Sequence, residues 1–222
     1  MRASSFPVAL CFLLSLREAL GACGEPLLQP SSCCVDPAPP QFDAVFTTTA
    51  GSFTLHIERR WAPLGVDRFY NMIQYGYLSN GTTNNYAVGN AAAFFRVVPG
   101  FVVQFGISGL PAISSAWQNL EIKDDPVVLS NLAGSIAFAT AGPDTRTTQV
   151  YINLGDNSQL DSQGFAPFGN VTSNAGYAVI QKIYAGYGQE PDQDTIYAQG
   201  DAYLQSQFPL LDYTISTKVV TA

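Results

Sequence analysis

The chain has 222 residues, of which 47% are hydrophobic and only 12% charged, so it can bury a sizeable core in one domain. Its formal net charge of −7 and its isoelectric point near 4.4 argue against a nucleic-acid partner, because phosphate binding requires clustered lysine and arginine.

Residues 1–21 have the features of a secretory signal peptide. Arg2 supplies the positive charge, an apolar run follows, and Ala19–Gly21 provides small residues for cleavage. The run is too short to cross a bilayer, so we expect no membrane span. The sequence predicts entry into a secretory pathway, in a secreted or lumenal form. Because "LGAC" loosely resembles a lipoprotein cleavage box, lipid anchoring at Cys23 is the alternative.

Residues 22–41 are rich in proline and serine and predict an extended linker that contains cysteines. Removal of the signal peptide leaves Cys23, Cys33 and Cys34, an odd number. A disulfide from Cys23 to Cys33 or to Cys34 would secure this linker, and the sequence does not choose between them. Three cysteines without a nearby histidine do not complete a tetrahedral metal site, so we expect no metal here.

Two asparagines begin Asn-x-Thr triplets, Asn80 in "NGT" and Asn170 in "NVT". A eukaryotic secretory pathway can attach glycans to such triplets. Because they also occur by chance, the sequence leaves open whether either asparagine is glycosylated.

The first predicted elements are a hairpin and a helix. Residues 44–58 contain two alternating runs around a turn, which is typical of a β-hairpin. Residues 62–78 predict an amphipathic helix, for which Pro63 suits the first turn and Gly76 the end. The apolar stripe of this helix consists of Val66, Phe69, Tyr70 and Ile73.

A polar stretch, 79–92, predicts a loop, and the sequence "FFRVVPGFVVQFGIS" (94–108) follows it. Two apolar β-rich runs meet there at Pro99-Gly100, and each carries one large polar side chain, Arg96 and Gln104. Burial of an unpaired guanidinium costs several kcal/mol, so Arg96 should be paired, exposed in a cleft, or both. A hairpin would bring Arg96 and Gln104 close together.

The rest of the chain predicts further short strands and little helix. Residues 134–153 contain two strands around a Gly-Pro-Asp turn, and 166–171 another. A second helix is predicted in 177–184, and a short helical segment in 201–208. Many short strands with about two helices indicate either a barrel capped by helices or a sandwich.

Three charged stretches are interpreted as surface features. Arg146 is expected to be a loop-surface charge, and the carboxylates of 123–126 to belong to a turn. The acidic run 186–194 could bind calcium, but a solvated loop explains it more simply. Arg96 could form a structural ion pair with Asp124 or Asp125.

The motifs, taken together, resemble the cyclophilin family of peptidyl-prolyl cis-trans isomerases. Four of them occur in the family's order between Phe42 and Tyr184: the Ala-Pro-x-x-Val-x-x-Phe helix, "FFRVVPGFVVQFG", "GSIAFATAGPDTRTTQVYINLGDNSQLD" and "GFAPFGNV". The resemblance implies a mainly β fold, a closed eight-stranded antiparallel β-barrel capped by two α-helices. It implies a cyclophilin-like domain over 42–187, with 188–222 as an extension packing on the barrel.

The resemblance also implies the chemistry and the residues that perform it. Arg96, Gln104 and Phe101 match the family's catalytic positions, and Arg96 would donate a hydrogen bond to the proline nitrogen in the twisted transition state. No cofactor and no metal are implied. The substrate-binding positions fall on Val102, Ala139, Thr140, Gln149, Tyr151, Leu160 and Phe165.

The sequence departs from the family pattern around this site. Phe105, Gly106 and Ile107 stand where the family usually has Gly-Gly-Asp. Gln159 replaces a frequent tryptophan that helps to bind cyclosporin, so we expect weak binding of that drug. Phe165 replaces a pocket histidine and removes a polar edge. These changes leave the arginine in place, so we expect activity, and the sequence leaves open whether they reduce it.

Three functions compete at this stage. The leading one is a prolyl isomerase that assists folding of exported or unfolded proteins, as a monomer acting on X-Pro-containing peptides. The alternative is a catalytically weak cyclophilin-like module that binds Pro-containing partners, which a Phe105 side chain filling the cleft would favour. The third is an unrelated carbohydrate-binding domain, which a two-sheet jelly roll would favour.

Overall fold

The first hairpin converts the alternating sequence pattern into one buried face. The computed structural model describes residues 25–83, 86–89 and 91–221, with side chains described outside the stretch 80–90. Strands β1 (Gln41–Thr48) and β2 (Gly51–Glu58) bury every second residue. Phe46 and Phe53 pair in register, and their ring centroids lie 5.0 Å apart. The predicted hairpin is confirmed.

The remaining strands are short. They are β3 (Asn80–Thr83), β4 (Tyr86–Gly89), β5 (Arg96–Val98), β6 (Val102–Phe105), β7 (Ser135–Phe138), β8 (Val150–Asn153), β9 (Pro167–Val171) and β10 (Thr214–Val220). The helices are α1 (Pro30–Cys33), α2 (Pro63–Gln74), α3 (Pro111–Trp117), α4 (Asn174–Ile180), α5 (Gln193–Gln199) and α6 (Asp201–Gln207). Short 3-10 turns occupy Pro26–Leu28, Arg59–Trp61 and Ser158–Gln163.

Eight strands form one antiparallel sheet in the order β10-β1-β2-β9-β7-β8-β6-β5. The predicted helix α2 packs against this sheet and buries Val66, Phe69 and Ile73. The ring centroids of Phe69 and of Phe168 in β9 lie 5.1 Å apart. The mainly β, eight-stranded architecture is therefore confirmed. Because these strands belong to one sheet, the two-sheet jelly roll is wrong for the described part of the chain.

The prediction of a closed barrel is wrong. Strands β10 and β5 are the outer strands of the sheet, and the isolated bridge Ala93–Tyr213 joins described residues that precede the two strands. Strand β5 has only three residues, and its Val97 N–H donates to Gly188 O at 2.8 Å. Because another segment occupies this edge of β5, no continuous ladder with β10 forms.

The prediction of two helices is also wrong, since the described residues contain six α-helical segments. Two of them, α5 and α6, lie in what we call the helical insert (185–212), between α4 and β10. Its Ile196 and Leu204 pack with Phe95 and Ile107 in a small apolar cluster. The 188–222 segment does more than pack on the sheet, because it contributes β10, which pairs with β1.

Two segments with polar or proline-rich sequences are more structured than expected. The predicted loop 79–92 contains the β3–β4 hairpin, in keeping with the high β propensity of threonine, tyrosine and valine. The described part of the linker is not extended throughout, because it contains the 3-10 turn Pro26–Leu28 and the helix α1. Leu27 is buried, and its carbonyl accepts a 2.9 Å hydrogen bond from Trp117 Nε1. Among the described helices, none is long and apolar enough to cross a membrane.

Candidate functional site

The β5–β6 hairpin brings the two polar side chains of its apolar sequence together. Arg96 and Gln104 are directly paired across the hairpin, whose Gly100 adopts a positive φ of 76° at the turn. Arg96 Nη1 donates to Gln104 Oε1 at 3.1 Å. The expected proximity is therefore present, and Gln104 satisfies part of the guanidinium.

A chain of side-chain amides continues from this pair. Gln104 Nε2 donates to Gln149 Oε1 at 2.7 Å, and Gln149 Nε2 donates to the Tyr197 hydroxyl at 3.2 Å. On the other side, Arg96 Nε and Nη2 donate to Gln189 Oε1 at 3.3 and 3.4 Å. The guanidinium is consequently held from two sides in a defined orientation.

An apolar cleft lies beside Arg96. It has a volume of about 400 Å³. Val102, Tyr151 and Leu160 are buried at its base, with Phe101 and Phe165 packed against them. The Arg96 guanidinium carbon lies 5.6 Å from the centre of the Phe101 ring. The cleft is lined by Arg96, Phe101, Val102, Gln104, Ala139, Thr140, Tyr151, Leu160, Phe165 and Gln193.

Buried polar groups hold Tyr151 in place behind the cleft. Its hydroxyl donates to Asn131 Oδ1 at 2.8 Å, and Asn131 Nδ2 donates to an Asp161 carboxylate oxygen at 2.7 Å. Burial raises the pKa of Tyr151, and the Asp161 charge adds to the effect. Burial alone would raise the pKa of Asp161, but hydrogen bonds from Ser130 and Asn131 outweigh it and lower that pKa. The tyrosine ring is therefore a fixed wall.

A second cavity of about 310 Å³ adjoins the first. Both cavities share Gln104, Ala139, Thr140 and Gln193. The Thr140 hydroxyl lies 2.9 Å from that of Thr145. The second cavity is lined by neutral residues throughout: Gln104, Ala139, Thr140, Ala141, Thr145, Thr147, Gln149 and Gln193.

Arg96 keeps its positive charge despite partial burial. Partial desolvation lowers the pKa of Arg96 from its usual value. A guanidinium nevertheless stays protonated in proteins, so Arg96 acts as a permanent donor. Of its five N–H groups, one faces Gln104 and two face Gln189, and the rest have no acceptor among the described residues. These remaining groups can serve a ligand.

The departures from the family pattern lie largely outside the cleft. Phe105 is fully buried between Phe46 and Phe94, with centroid distances of 5.9 and 5.0 Å. Ile107 is also buried. Gly106 is required where it stands, because its φ is 107° and an added Cβ would lie 2.3 Å from Thr148 O. Phe105 therefore does not fill the cleft, whereas Phe165 lines it as expected.

The interpretation of Arg146 as a surface charge is wrong. Its side chain is only 3% exposed and its Nη1 lies 3.1 Å from an Asp125 carboxylate oxygen. Asp125 also accepts from the backbone N–H groups of Leu64 and Gly65 at the start of α2. The two carboxylates considered as partners for Arg96 thus serve Arg146, since Asp124 lies 3.3 Å from Arg146 Nε.

The remaining predicted positions lie away from the cleft. Cys33 is disulfide-bonded, whereas Cys34 is a free, buried thiol whose pKa burial raises to about 12. Asn170 is exposed on β9. The signal peptide, Cys23 and the Asn80 side chain lie outside the described residues.

The sequence did not predict three residues of the site, Gln189, Gln193 and Tyr197. All three belong to the helical insert, beyond residues 42–184, which contain the family motifs recognised in the sequence. The sequence of the run that contains Gln189 and Gln193 is typical of a solvated loop. The sequence carried no signal for their position, because it depends on contacts such as that between Gly188 and Val97.

Comparisons with known proteins identify the family of the chain. A family model described as cyclophilin type peptidyl-prolyl cis-trans isomerase/CLD matches residues 44–199. Peptidyl-prolyl cis-trans isomerase A of Dickeya dadantii is 34% identical over 145 residues, or 63% of this chain and 69% of that protein. Peptidyl-prolyl cis-trans isomerase-like 1 of Aspergillus fumigatus is 31% identical over 144 residues, or 64% and 81%.

Solved structures show the same fold. A cyclophilin type peptidyl-prolyl cis-trans isomerase of Cryptosporidium parvum aligns with a TM-score of 0.58 and 13% identity, over 82% of this chain and 99% of that chain. The same protein solved in the presence of the dipeptide Ala-Pro aligns with a TM-score of 0.57 and 14% identity, over 81% and 99%.

Proposed function

The chain belongs to the cyclophilin-type peptidyl-prolyl cis-trans isomerase family, and from that premise we propose that it accelerates X-Pro isomerisation at the Arg96 cleft. The observation that carries this proposal is the position of a held guanidinium beside an apolar cleft that is large enough to admit a proline ring. The dipeptide Ala-Pro accompanies one related structure, which supports a proline-containing ligand for the cleft.

The barrier to this reaction arises from amide resonance. Rotation about the peptide C–N bond faces about 18–20 kcal/mol, and an X-Pro bond isomerises in tens to hundreds of seconds. In the twisted transition state the nitrogen regains its lone pair and can accept a hydrogen bond. A free N–H of Arg96 would donate to that nitrogen, an interaction that the planar ground state does not offer.

The apolar wall supplies binding for the proline ring. Burial of a ring of this size against Val102, Leu160 and Phe165 contributes on the order of 2 kcal/mol. This anchoring fixes one side of the bond while the other side rotates. No proton is transferred and no covalent bond forms, so the reaction needs no group of tuned pKa.

A purely binding module is the second candidate, and the position of Phe105 speaks against it. A cleft filled by this side chain would favour a binder. Phe105 instead packs in the core between Phe46 and Phe94, on the side of β6 away from Gln104. The open cleft beside Arg96 is what turnover requires.

The proposed activity is tested by the cis-to-trans relaxation of a short X-Pro peptide, with and without the chain lacking residues 1–21. We expect relaxation to accelerate in proportion to protein concentration. A second substrate, an unfolded protein whose refolding is limited by proline isomerisation, should refold faster as well. A folded protein that accelerates neither reaction would contradict the proposal.

We also propose that the protein works in a secretory pathway, as a monomer, on unfolded or exported proteins. The disulfide of Cys33 supports this, because disulfides persist mainly in oxidising compartments. The mass of the mature protein decides between cleavage after residue 21 and lipidation at Cys23, and reports any glycan on Asn80 or Asn170. Size-exclusion chromatography with light scattering measures the oligomeric state.

A further inference from the structure

The helical insert forms a wall of the candidate site. Gln193, the first residue of α5, lines both the cleft beside Arg96 and the second cavity. Gln189 contacts the Arg96 guanidinium, and Tyr197 accepts from Gln149. The cleft positions predicted from the sequence include no residue of this insert. Its contribution to the site is therefore visible only in the folded structure.

The insert is anchored firmly enough to serve as a binding surface. Val97 N–H donates to Gly188 O at 2.8 Å, and Asp201 N–H donates to Gly109 O at 2.9 Å. Its buried residue Ile196 packs in the apolar cluster with Phe95. Because Gln193 is therefore held at a fixed place between the cavities, a peptide that occupies both must pass it.

The charge beside Gln193 is negative. Asp192 and Asp194 are its immediate neighbours, so their Cα atoms lie about 3.8 Å from that of Gln193. Glu190 follows Gln189 directly, and all three carboxylates are exposed. Hydrogen bonds from the Thr195 side chain and backbone lower the pKa of Asp192, so it stays ionised at neutral pH.

One positive side chain, Arg96, partly offsets these three charges from the adjoining cavity, where it contacts Gln104, a residue that lines both cavities. The lining of the second cavity itself consists of neutral Gln, Thr and Ala residues. Exposed charges act over about 8–10 Å at moderate ionic strength, which covers a residue bound next to Gln193. The field at the second cavity therefore favours a cationic side chain.

We propose that Gln193 is a specificity-determining residue that contacts the substrate next to the proline, and that the carboxylates beside it select a basic over an acidic residue there. This inference rests on the proposed isomerase activity and adds a substrate class to it. The selected ligand is a peptide with lysine or arginine close to its proline.

The test is a set of X-Pro peptides that carry Lys, Ala or Glu at each of the two positions on either side of the proline. At low salt we expect kcat/KM for the Lys peptide to exceed that for the Glu peptide about 5–10-fold at one of these positions. In about 1 M salt, where the screening length is about 3 Å, the ratio should fall below about 2.

Variants assign the effect to the insert. Glu190→Gln with Asp194→Asn removes two charges and keeps Asp192, whose carboxylate caps α5. The Lys-to-Glu ratio should then drop to about half or less of its original value. The matched control, Glu25→Gln with Glu121→Gln, removes the same charge from exposed residues outside both cavities and should leave the ratio unchanged.

Gln193→Ala tests the contact itself. We expect it to raise KM more for peptides that extend across both cavities than for a minimal Ala-Pro peptide. Equal kcat/KM for Lys and Glu peptides at low salt would overturn the inference while the activity on the Ala peptide stands. Absence of turnover for every peptide would instead contradict the proposed function.

Discussion

The buried ion pair between Arg146 and Asp125 should make the fold strongly sensitive to loss of the arginine alone. Each side chain is 3% exposed, and Asp125 also accepts two backbone N–H groups from the start of α2. Removing one partner of a buried pair costs about 3–5 kcal/mol. Because the two N–H groups remain, we expect Arg146→Met to cost about 3 kcal/mol.

This cost converts to a thermal shift. For a chain of this size, 1 kcal/mol corresponds to about 2–4 °C, so about 3 kcal/mol lowers Tm by about 6–12 °C. Urea unfolding gives the free energy directly, with the thermal scan as a second measure. The matched control is Arg60→Met, which removes an ion pair to Glu58 from an arginine that is 75% exposed, and should cost under about 1 kcal/mol.

A double variant separates the charge from the packing. Arg146→Met combined with Asp125→Asn removes the uncompensated buried charge but should recover only part of the loss. The recovery is partial because asparagine has one acceptor oxygen, whereas the two Asp125 oxygens accept separately from the N–H groups of Leu64 and Gly65. If Arg146→Met costs less than about 1 kcal/mol, the reasoning about the buried pair is wrong.

Two further predictions concern one polar side chain of the cleft and one of the helical insert. Gln104→Ala removes the acceptor that holds Arg96 Nη1 and should lower kcat/KM about 10-fold. Gln104→Asn keeps the side-chain amide and should recover part of the lost activity. Equal activity of Gln104→Ala and the wild type would contradict a positioning role. Burial raises the pKa of Asp201 from 3.8 to about 6, so the native state binds the carboxyl proton more tightly than the unfolded state does. The contribution of Asp201 to stability therefore falls as the pH rises from about 4 to 6. Asp201→Asn should therefore be more stable than the wild type at pH 7 by urea unfolding, with a smaller difference at pH 4; the opposite ordering contradicts the sign.

The β5–β6 hairpin could be predicted from the sequence because its geometry is local. A Pro-Gly turn fixes the register of two apolar runs, and this register pairs Arg96 with Gln104. The walls formed by Phe101 and Val102 belong to the same hairpin. Leu160 and Phe165 lie farther along the chain and could be assigned only through the family motifs that match them.

Features that depend on distant contacts could not be predicted. Closure of the sheet depends on which segment forms hydrogen bonds with the edge of β5. Gly188 forms one of these bonds, and it lies in a run of glycine and polar residues that has no periodicity. Burial of Arg146 depends on Asp125, twenty-one residues earlier in the chain. In both cases the local sequence is typical of an exposed loop. The loops are held in place by contacts with α2 and the helical insert, which the local sequence does not specify.

The central claim is that Arg96 stabilises the twisted amide rather than the bound peptide. The most direct measurement compares wild type and Arg96→Ala for both kcat/KM on an X-Pro peptide and Kd for the same peptide. Loss of one positioned donor in the transition state is worth about 10²–10³-fold in rate. We predict a fall in kcat/KM of at least about 100-fold, a Kd within about 3-fold, and an unchanged circular dichroism spectrum. Equal losses in turnover and binding, or undiminished turnover, would contradict the account.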